Sequence, residues 1–161
     1  MILRTLNYIV KTSLNLMSAE STRTEFIDLI VGHWTNKKQA FANPAKYAYT
    51  NMKWELVDGK LNCRSWYNHK GEDNPYKIET GITVSGGREK ELVVLKGRCE
   101  FLFFKIDGVW KGAKHGDCIV RGAQLESMVE LDKDSYKCYD CGRNDKGEIV
   151  WGGTLLYHFT K

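Results

Sequence analysis

Apolar residues recur along the chain with two different periods. In the first part they follow helical intervals, at Phe26, Leu29, Ile30 and Trp34. Just before them, Thr22-Arg23-Thr24-Glu25 has the spacing of a capping box, in which a threonine and a glutamate satisfy free N–H groups of the first turn. The pattern predicts one short amphipathic helix that begins near Thr22 and ends near Gly32.

From residue 50 onward the apolar residues alternate with polar ones, which is the period of a β-strand. Met52, Trp54 and Leu56 alternate in this way, and the alternation resumes at Leu61 after the turn dipeptide Asp58-Gly59. Two alternating runs joined by Asp-Gly are typical of a β-hairpin.

Similar alternating segments follow, separated by pairs of turn-forming residues. They span residues 76–84, 91–96, 99–106, 124–131, 135–141 and 149–160. About eight to ten short strands behind one helix favour an all-β fold, a closed antiparallel up-and-down barrel. A barrel of this size holds one small ligand.

Residues 1–20 precede this pattern and are interpreted as an extension outside a single domain of residues 21–161. They are mildly apolar, but Arg4, Asn7 and Lys11 interrupt them too often for a signal-peptide core or a membrane span. An alternative is that translation begins at Met17.

Composition narrows the classes of partner. The 161 residues suit one domain, and the net charge of +4 comes from interspersed charges, so no nucleic-acid partner is expected. The small positive excess favours an acidic partner surface or a dianionic ligand. The cysteines number five, and this odd count argues against a complete disulfide framework and favours a reducing cytoplasm.

Two groups of motifs resemble one protein family. The first is the run GHWTNKKQAFANP from Gly32 to Pro44, and the second comprises GVWKG at 108–112, GDC at 116–118, YDCGRND at 139–145 and VWGG at 150–153. In this order, over residues 26–161, the sequence resembles the CpcT/CpeT family of T-type phycobiliprotein chromophore lyases, which occurs in cyanobacteria and cyanophages.

The resemblance implies a calycin- or lipocalin-like barrel that binds an open-chain bilin, phycocyanobilin or phycoerythrobilin. The implied activity is attachment of the bilin, through a thioether, to a cysteine of a phycobiliprotein β-subunit. No permanent cofactor and no metal are implied. The expected partners are the bilin and the apo-β-subunit, without a membrane partner, and homodimer formation is left open.

Two segments depart from the family pattern. Where the family has Pro-Tyr-Arg-Gln-Arg, this chain has Pro75-Tyr76-Lys77-Ile78-Glu79, so Lys77 keeps the charge and Glu79 reverses it. The family's Asp-Arg-Gly corresponds to Asp140-Cys141-Gly142, which lacks the arginine.

The chemistry of a bilin suggests catalytic residues. Its pyrrole N–H groups need a carboxylate, which also holds positive charge on the pigment and makes the ethylidene group more electrophilic toward a thiol. Asp140 is the first candidate, because it shares a strand face with Tyr136 and Cys138, and Glu79 is the second. Alternatively, Asp140 only leads the following turn.

The remaining candidates concern binding of the chromophore. The propionates favour cations, and the candidates are Arg64, Lys77, Lys96 and Arg98. Tyr67, Tyr76 and Trp151 offer flat walls, and Cys118 offers a thiol for covalent capture. The alternative for each is ordinary: a solvated charge, an aromatic packed in the core, or a small apolar cysteine.

Three other functions remain open at this point. The chain is alternatively a bilin carrier without transfer activity, or a calycin-type carrier of another apolar ligand. The pair Cys138 and Cys141, with His115 and Cys118, would give a zinc site, but on one strand the two cysteines of the pair face opposite sides.

Overall fold

Two helices and twelve antiparallel strands make up the part of the chain that the structure describes, residues 2–87 and 91–161 of a computed structural model. The helices are α1 (Ile2–Ile30) and α2 (Lys37–Ala42), and a 3₁₀ turn spans Asn68–Lys70. The strands are β1 (Gly32–Thr35), β2 (Thr50–Val57), β3 (Lys60–Tyr67), β4 (Lys77–Gly86), β5 (Leu92–Lys96), β6 (Glu100–Ile106), β7 (Val109–His115), β8 (Ile119–Val120), β9 (Ala123–Leu131), β10 (Tyr136–Arg143), β11 (Ile149–Gly152) and β12 (Tyr157–Phe159).

The first helix is much longer than the sequence pattern predicts. α1 covers 29 residues, and Thr22 donates its hydroxyl to the carbonyl of Ser18, one turn back, so it does not cap a helix start. The predicted start near Thr22 is therefore wrong: no glycine or proline precedes Gly32 in the sequence, and nothing local stops the helix from extending toward the N-terminus.

The predicted end of α1 near Gly32 is confirmed. Gly32 has a φ of +140°, a value that glycine adopts without strain. Lys161 donates from its ammonium group to the carbonyls of Leu29 and Val31, at 2.8 and 2.9 Å, and so satisfies free acceptors of the last turn.

Nowhere in the described residues is a helix both long enough and apolar enough for a bilayer crossing.

The strands form one strongly curled antiparallel sheet in the order β1-β2-β3-β4-β5-β6-β7-β9-β10-β11. The predicted hairpin at Asp58-Gly59 is confirmed: both residues have positive φ, 51° and 76°, as in a two-residue type I′ turn. Within β4 the pairing with β3 shifts register, and the strand bends at Gly81, which has a φ of +70°.

The two ends of the sheet meet at a single bridge. β12 pairs with β10, and the next residue, Thr160, exchanges two backbone hydrogen bonds with Thr35 at the end of β1, of 2.8 and 2.9 Å. The antiparallel barrel with a leading helix is thus confirmed, but closure by a full ladder is not found. A barrel closed at one bridge leaves much of that seam without inter-strand hydrogen bonds.

The strand assignments need correction at several places. Twelve strands form in the described residues where eight to ten are predicted, and β1, β7 and β8 lie outside the predicted segments. Trp34, which the helical intervals include, lies in β1. The predicted segment 149–160 is two strands, because Gly152, with a φ of +68°, ends β11. β7 was not predicted as a strand, since its inward positions are Trp110 and Gly112 and its other residues are largely polar. Gly112 lies against the ring of Phe103, where a Cβ atom would overlap the ring.

The C-terminal half of α1 is packed against the barrel. Phe26 is fully buried, with its ring centroid 4.9 Å from that of Phe103 and 5.3 Å from that of Trp110. Arg23 donates to the carbonyls of Val84 and Gly59, both at 2.8 Å, which ties the helix to β4 and to the first hairpin. This half of the helix therefore belongs to the core.

Replacing Phe26 tests that packing. Phe26→Ala removes a fully buried ring and should lower the free energy of unfolding by about 3–5 kcal/mol, because it leaves a cavity among rigid neighbours. Urea unfolding monitored by circular dichroism measures the change. Tyr8→Ala, on the exposed part of the same helix, should change the free energy by less than about 0.5 kcal/mol. A loss below about 1 kcal/mol for Phe26→Ala would contradict the packing.

Candidate functional site

The barrel encloses a cavity of about 150 Å³ that opens at one rim. Most of its wall is apolar, and includes Trp54, Leu95, Phe101, Phe103 and Val129. One side is polar, and consists of Ser65, Lys77, Glu79 and Asp140 together with the thiols of Cys63 and Cys138. A mainly apolar pocket with a few convergent polar groups is the usual form of a small-molecule site.

Strand alternation places these polar groups on one face. Residues two apart on a strand point to the same side, as Lys77 and Glu79 do on β4 and Cys138 and Asp140 on β10. β4 and β10 are not neighbours in the sheet, so the curling of the sheet brings their inward residues together. The polar side of the cavity therefore exists only in the folded barrel.

Asp140 and Lys77 meet at the polar side of the cavity. The carboxylate oxygen Oδ2 of Asp140 lies 3.6 Å from Nζ of Lys77, and Oδ1 accepts a hydrogen bond from the hydroxyl of Ser127. Ser127 is the residue of β9 directly opposite Asp140 in the strand pairing. The two charged side chains keep 41% and 51% of their surface accessible, so a ligand at the rim reaches both.

The charge state of Lys77 follows from its surroundings. Enclosure by the barrel acts to lower the pKa of Lys77, but the negative charge of Asp140 opposes it, and the net effect is a raised pKa. Lys77 is therefore an ammonium group at neutral pH.

Glu79 is held at the rim by the backbone. Its Oε1 accepts a hydrogen bond of 2.7 Å from the N–H of Arg98. A Cβ atom on the neighbouring Gly97 would overlap the same oxygen. The absence of a side chain at Gly97 therefore allows the carboxylate of Glu79 to lie against the backbone of this loop. Glu79 thus connects β4 to the loop between β5 and β6.

The thiols inside the cavity are poor nucleophiles. Burial raises the pKa of Cys63 to about 12, and burial raises that of Cys138 as well. Burial, with the neighbouring Tyr67, raises the pKa of Tyr76 to about 12. These groups stay protonated at neutral pH, and a thiolate is the reactive form of cysteine. The cavity can bind, orient and polarise a ligand, and its thiols stay in the unreactive, protonated form.

One donor in the wall has no partner. The indole N–H of Trp54 is buried and makes no hydrogen bond to any described residue. Buried donors in folded proteins are nearly always paired. An acceptor on a bound ligand would satisfy it.

The structure brings together four of the ten site residues that the sequence suggests: Tyr76, Lys77, Glu79 and Asp140 all line the cavity. Tyr67 lies behind Tyr76, with ring centroids 4.7 Å apart. Arg98 lies at the rim and contributes its backbone N–H.

The remaining three charged or aromatic candidates lie outside the cavity lining. Arg64 is 3.7 Å from Glu55 and from Glu72 in a surface cluster. Lys96 pairs with Glu100 at 3.6 Å. Trp151 donates to the carbonyl of Val120, and its ring lies 5.7 Å from the guanidinium of Arg121.

Cys118 is joined to Cys99 by a disulfide, with a Cα–Cα distance of 5.7 Å. It is therefore not a free thiol for covalent capture in this structure. Cys99 lines the cavity, so the disulfide secures the rim where β6 begins. The zinc arrangement is not formed either, since Cys141 contacts Glu126 on the other side of β10 from Cys138.

Sequence reasoning missed Ser127 and the thiol of Cys63. A signal for Ser127 was present: the buried positions of β9 are Ala123, Leu125, Ser127, Val129 and Leu131. One hydroxyl in a row of apolar inward residues indicates a polar partner inside the barrel. That partner is Asp140.

Counting thiols tests the disulfide. With Cys99 and Cys118 joined, the chain has free thiols at Cys63, Cys138 and Cys141. Denatured protein should titrate three thiols with Ellman's reagent without reductant and five after reduction. Cys99→Ser/Cys118→Ser should titrate three under both conditions. Five thiols in unreduced wild-type protein would contradict the pairing.

Comparison with known proteins agrees with the fold and with the resemblance. No family model matches the sequence, and no curated protein sequence matches it. The solved structure of the T-type phycobiliprotein lyase CpeT from Prochlorococcus phage P-HM1 aligns with a TM-score of 0.73 and 26% identity, over 86% of this chain and 96% of that one. The CRL protein of Arabidopsis aligns with a TM-score of 0.66 and 14% identity, over 89% and 98%, which supports the fold alone. The chain thus has the lipocalin-like fold of a phage-encoded T-type phycobiliprotein lyase and resembles that lyase over most of its length.

Proposed function

We propose that this chain is a phycobiliprotein lyase, which binds an open-chain bilin in the barrel and delivers it to a cysteine of a phycobiliprotein β-subunit in the cytoplasm. The observation that carries the proposal is the carboxylate of Asp140, accessible at the rim of an apolar cavity in a lyase-like fold. The bilin is the substrate, phycocyanobilin or phycoerythrobilin, and no permanent cofactor is needed.

Asp140 is the residue that we assign to the pyrrole nitrogens. A carboxylate accepts several N–H donors at once and stabilises positive charge on the pigment. Ser127 keeps one of its oxygens oriented by a hydrogen bond. Positive charge on the conjugated system makes the ethylidene carbon more electrophilic, which is the activation that thiol addition requires.

Lys77 and Trp54 suit the oxygen atoms of the bilin. The ammonium of Lys77 is a partner for a propionate, and the unpaired indole N–H of Trp54 for a terminal-ring carbonyl. Tyr76 and Tyr67 add flat surface beside the rim. These groups thus match a propionate, a ring carbonyl and the flat conjugated rings of the bilin.

The acceptor subunit supplies the nucleophile in this proposal. Its cysteine thiolate adds to the ethylidene carbon, a sulfur–carbon bond forms, and the electron pair of the double bond takes up a proton at the adjacent ring carbon. The barrel's own thiols stay protonated because burial raises their pKa values. Self-capture of the bilin is thereby disfavoured, and transfer to an external thiol is favoured.

The size of the cavity agrees with delivery at the rim. Pockets that enclose drug-sized ligands measure about 300–1,000 Å³, whereas this cavity measures about 150 Å³. A bilin therefore enters only in part, and the rest of the pigment stays at the mouth, where a partner protein reaches it.

A carrier without transfer activity is the second candidate. It is favoured by the charges inside the cavity: among the described residues, Lys77 is the only lysine or arginine in the lining, and it is already paired with Asp140. Glu79 adds a negative charge where the family has a positive one. The two propionates of a bilin would then find no second cation in the cavity lining to pair with.

Mixing the protein with free bilin and an apo-β-subunit distinguishes the two candidates. The lyase should give a pigment adduct on the subunit that survives acid denaturation, and a subunit with its acceptor cysteine replaced by alanine should give none. A shifted bilin spectrum with no stable adduct would reject the lyase and leave the carrier. An unchanged spectrum would reject both and favour a calycin carrier for another ligand.

Asp140→Asn tests the assigned carboxylate. Loss of charge-assisted hydrogen bonds should weaken bilin binding about tenfold to a hundredfold and shift the bound pigment to shorter wavelength. Absorption titration measures both effects. Asp145→Asn, an identical change in an exposed loop, should leave both unchanged. An unaltered spectrum for Asp140→Asn would transfer the role to Glu79, which Glu79→Gln tests in the same titration.

A further inference from the structure

The N-terminal half of α1 extends beyond the barrel and carries exposed apolar side chains. Contact with the barrel begins near Ala19, whose carbonyl passes so close to Gly86 that a Cβ atom there would overlap it. Before that point the exposed fractions are high, from 51% at Val10 to 84% at Ile2. The other apolar side chains of this kind are Leu6, Tyr8, Ile9, Leu14, Leu16 and Met17.

These side chains form one face, apart from Tyr8. At 3.6 residues per turn, Ile2, Leu6, Ile9, Val10, Leu14, Leu16 and Met17 fall within an arc of roughly 160°. The face that contacts the barrel farther along, at Arg23, Phe26 and Ile30, lies about 130° around the helix axis from the centre of that arc. The exposed face is therefore not a continuation of the face buried in the core.

The opposite side of this segment is polar and basic. Arg4 and Lys11 lie two turns apart on it, with Asn7 between them. The sequence has no acidic residue before Glu20. A broad apolar face with basic residues and no acidic ones on the other side is the pattern of helices that lie in the surface of an anionic bilayer.

We propose that residues 2–17 of α1 bind the surface of an anionic membrane, with the apolar face in the acyl boundary and the helix parallel to the bilayer plane. Attraction of Arg4 and Lys11 to anionic headgroups adds to burial of the apolar face. The same two charges keep the helix at the surface. This inference does not depend on the proposed bilin chemistry, and it revises the sequence-based expectation that no membrane partner exists.

A second copy of the chain fits this face less well. Helix pairs in water bury a narrow seam with apolar residues every three to four positions. Along Ile2, Leu6, Ile9 and Leu16 that seam is broken by Ser13 and then by Glu20. A bilayer surface accepts the whole arc, including Val10 and Met17, which a helix partner would leave uncovered.

Vesicle sedimentation of the full chain tests the proposal. The protein should sediment with vesicles of equal parts phosphatidylcholine and phosphatidylglycerol, and much less with phosphatidylcholine alone. Raising the salt concentration should weaken the binding because salt screens the two cations. The lack of sedimentation with anionic vesicles at low salt would overturn the proposal.

Two adjacent substitutions with the same charge change provide the matched control. Leu6→Asp lies at the centre of the apolar face, and Asn7→Asp lies just outside its edge. Leu6→Asp should lower vesicle affinity about tenfold more than Asn7→Asp, because it removes buried apolar surface. Equal losses would overturn the apolar-face assignment. A dimer in sedimentation equilibrium that Leu6→Asp dissociates, without vesicle binding, would assign the face to a second copy instead. Unchanged thermal unfolding of both variants shows that the barrel is intact.

Discussion

Opposite charges on β4 and β10 meet inside a mainly apolar barrel, and the candidate site depends on this interaction. Lys77 and Asp140 lie on strands that are not neighbours, so only the curl of the sheet brings them within 3.6 Å of each other. Charges enclosed by apolar walls are costly unless they are paired and hydrogen-bonded. Here each charge has the other as a partner, Ser127 supplies a hydrogen bond, and access to the rim keeps both available to a ligand.

The same enclosure separates the ionisable groups into two kinds. Near the rim, Lys77 keeps its charge because the neighbouring carboxylate of Asp140 raises its pKa. Beside that pair, burial raises the pKa of Cys63 and of Cys138 and keeps both thiols protonated. A bilin has both N–H groups that need a carboxylate and an electrophilic carbon that has to be protected from the wrong thiol. The carboxylate of Asp140 meets the first need and the burial of the thiols meets the second. The proposed nucleophile is therefore the cysteine of the partner subunit.

The sequence predicted the fold class and the inward face of single strands well. Alternation with period two was enough to group Tyr136, Cys138 and Asp140, and the hairpin at Asp58-Gly59 followed from its turn chemistry. Periodicity says which residues share a face, but it does not say which non-adjacent strands face each other. The contact of Lys77 with Asp140 is therefore a property of the curled sheet. The outward position of Arg64 and Lys96 follows from the alternation itself, because each is next to an inward residue of its strand. The predicted start of α1 was wrong because the same Thr-x-x-Glu spacing occurs inside a helix as well as at a helix N-terminus.

A crystal structure of the protein with bound bilin is the decisive measurement for the role of Asp140. The pigment should enter the barrel with the carboxylate of Asp140 at about 2.7–3.2 Å from the pyrrole nitrogens, while the ethylidene group remains at the open rim. A bilin bound outside the barrel, or inside it with its nitrogens turned away from Asp140, would rule out that role.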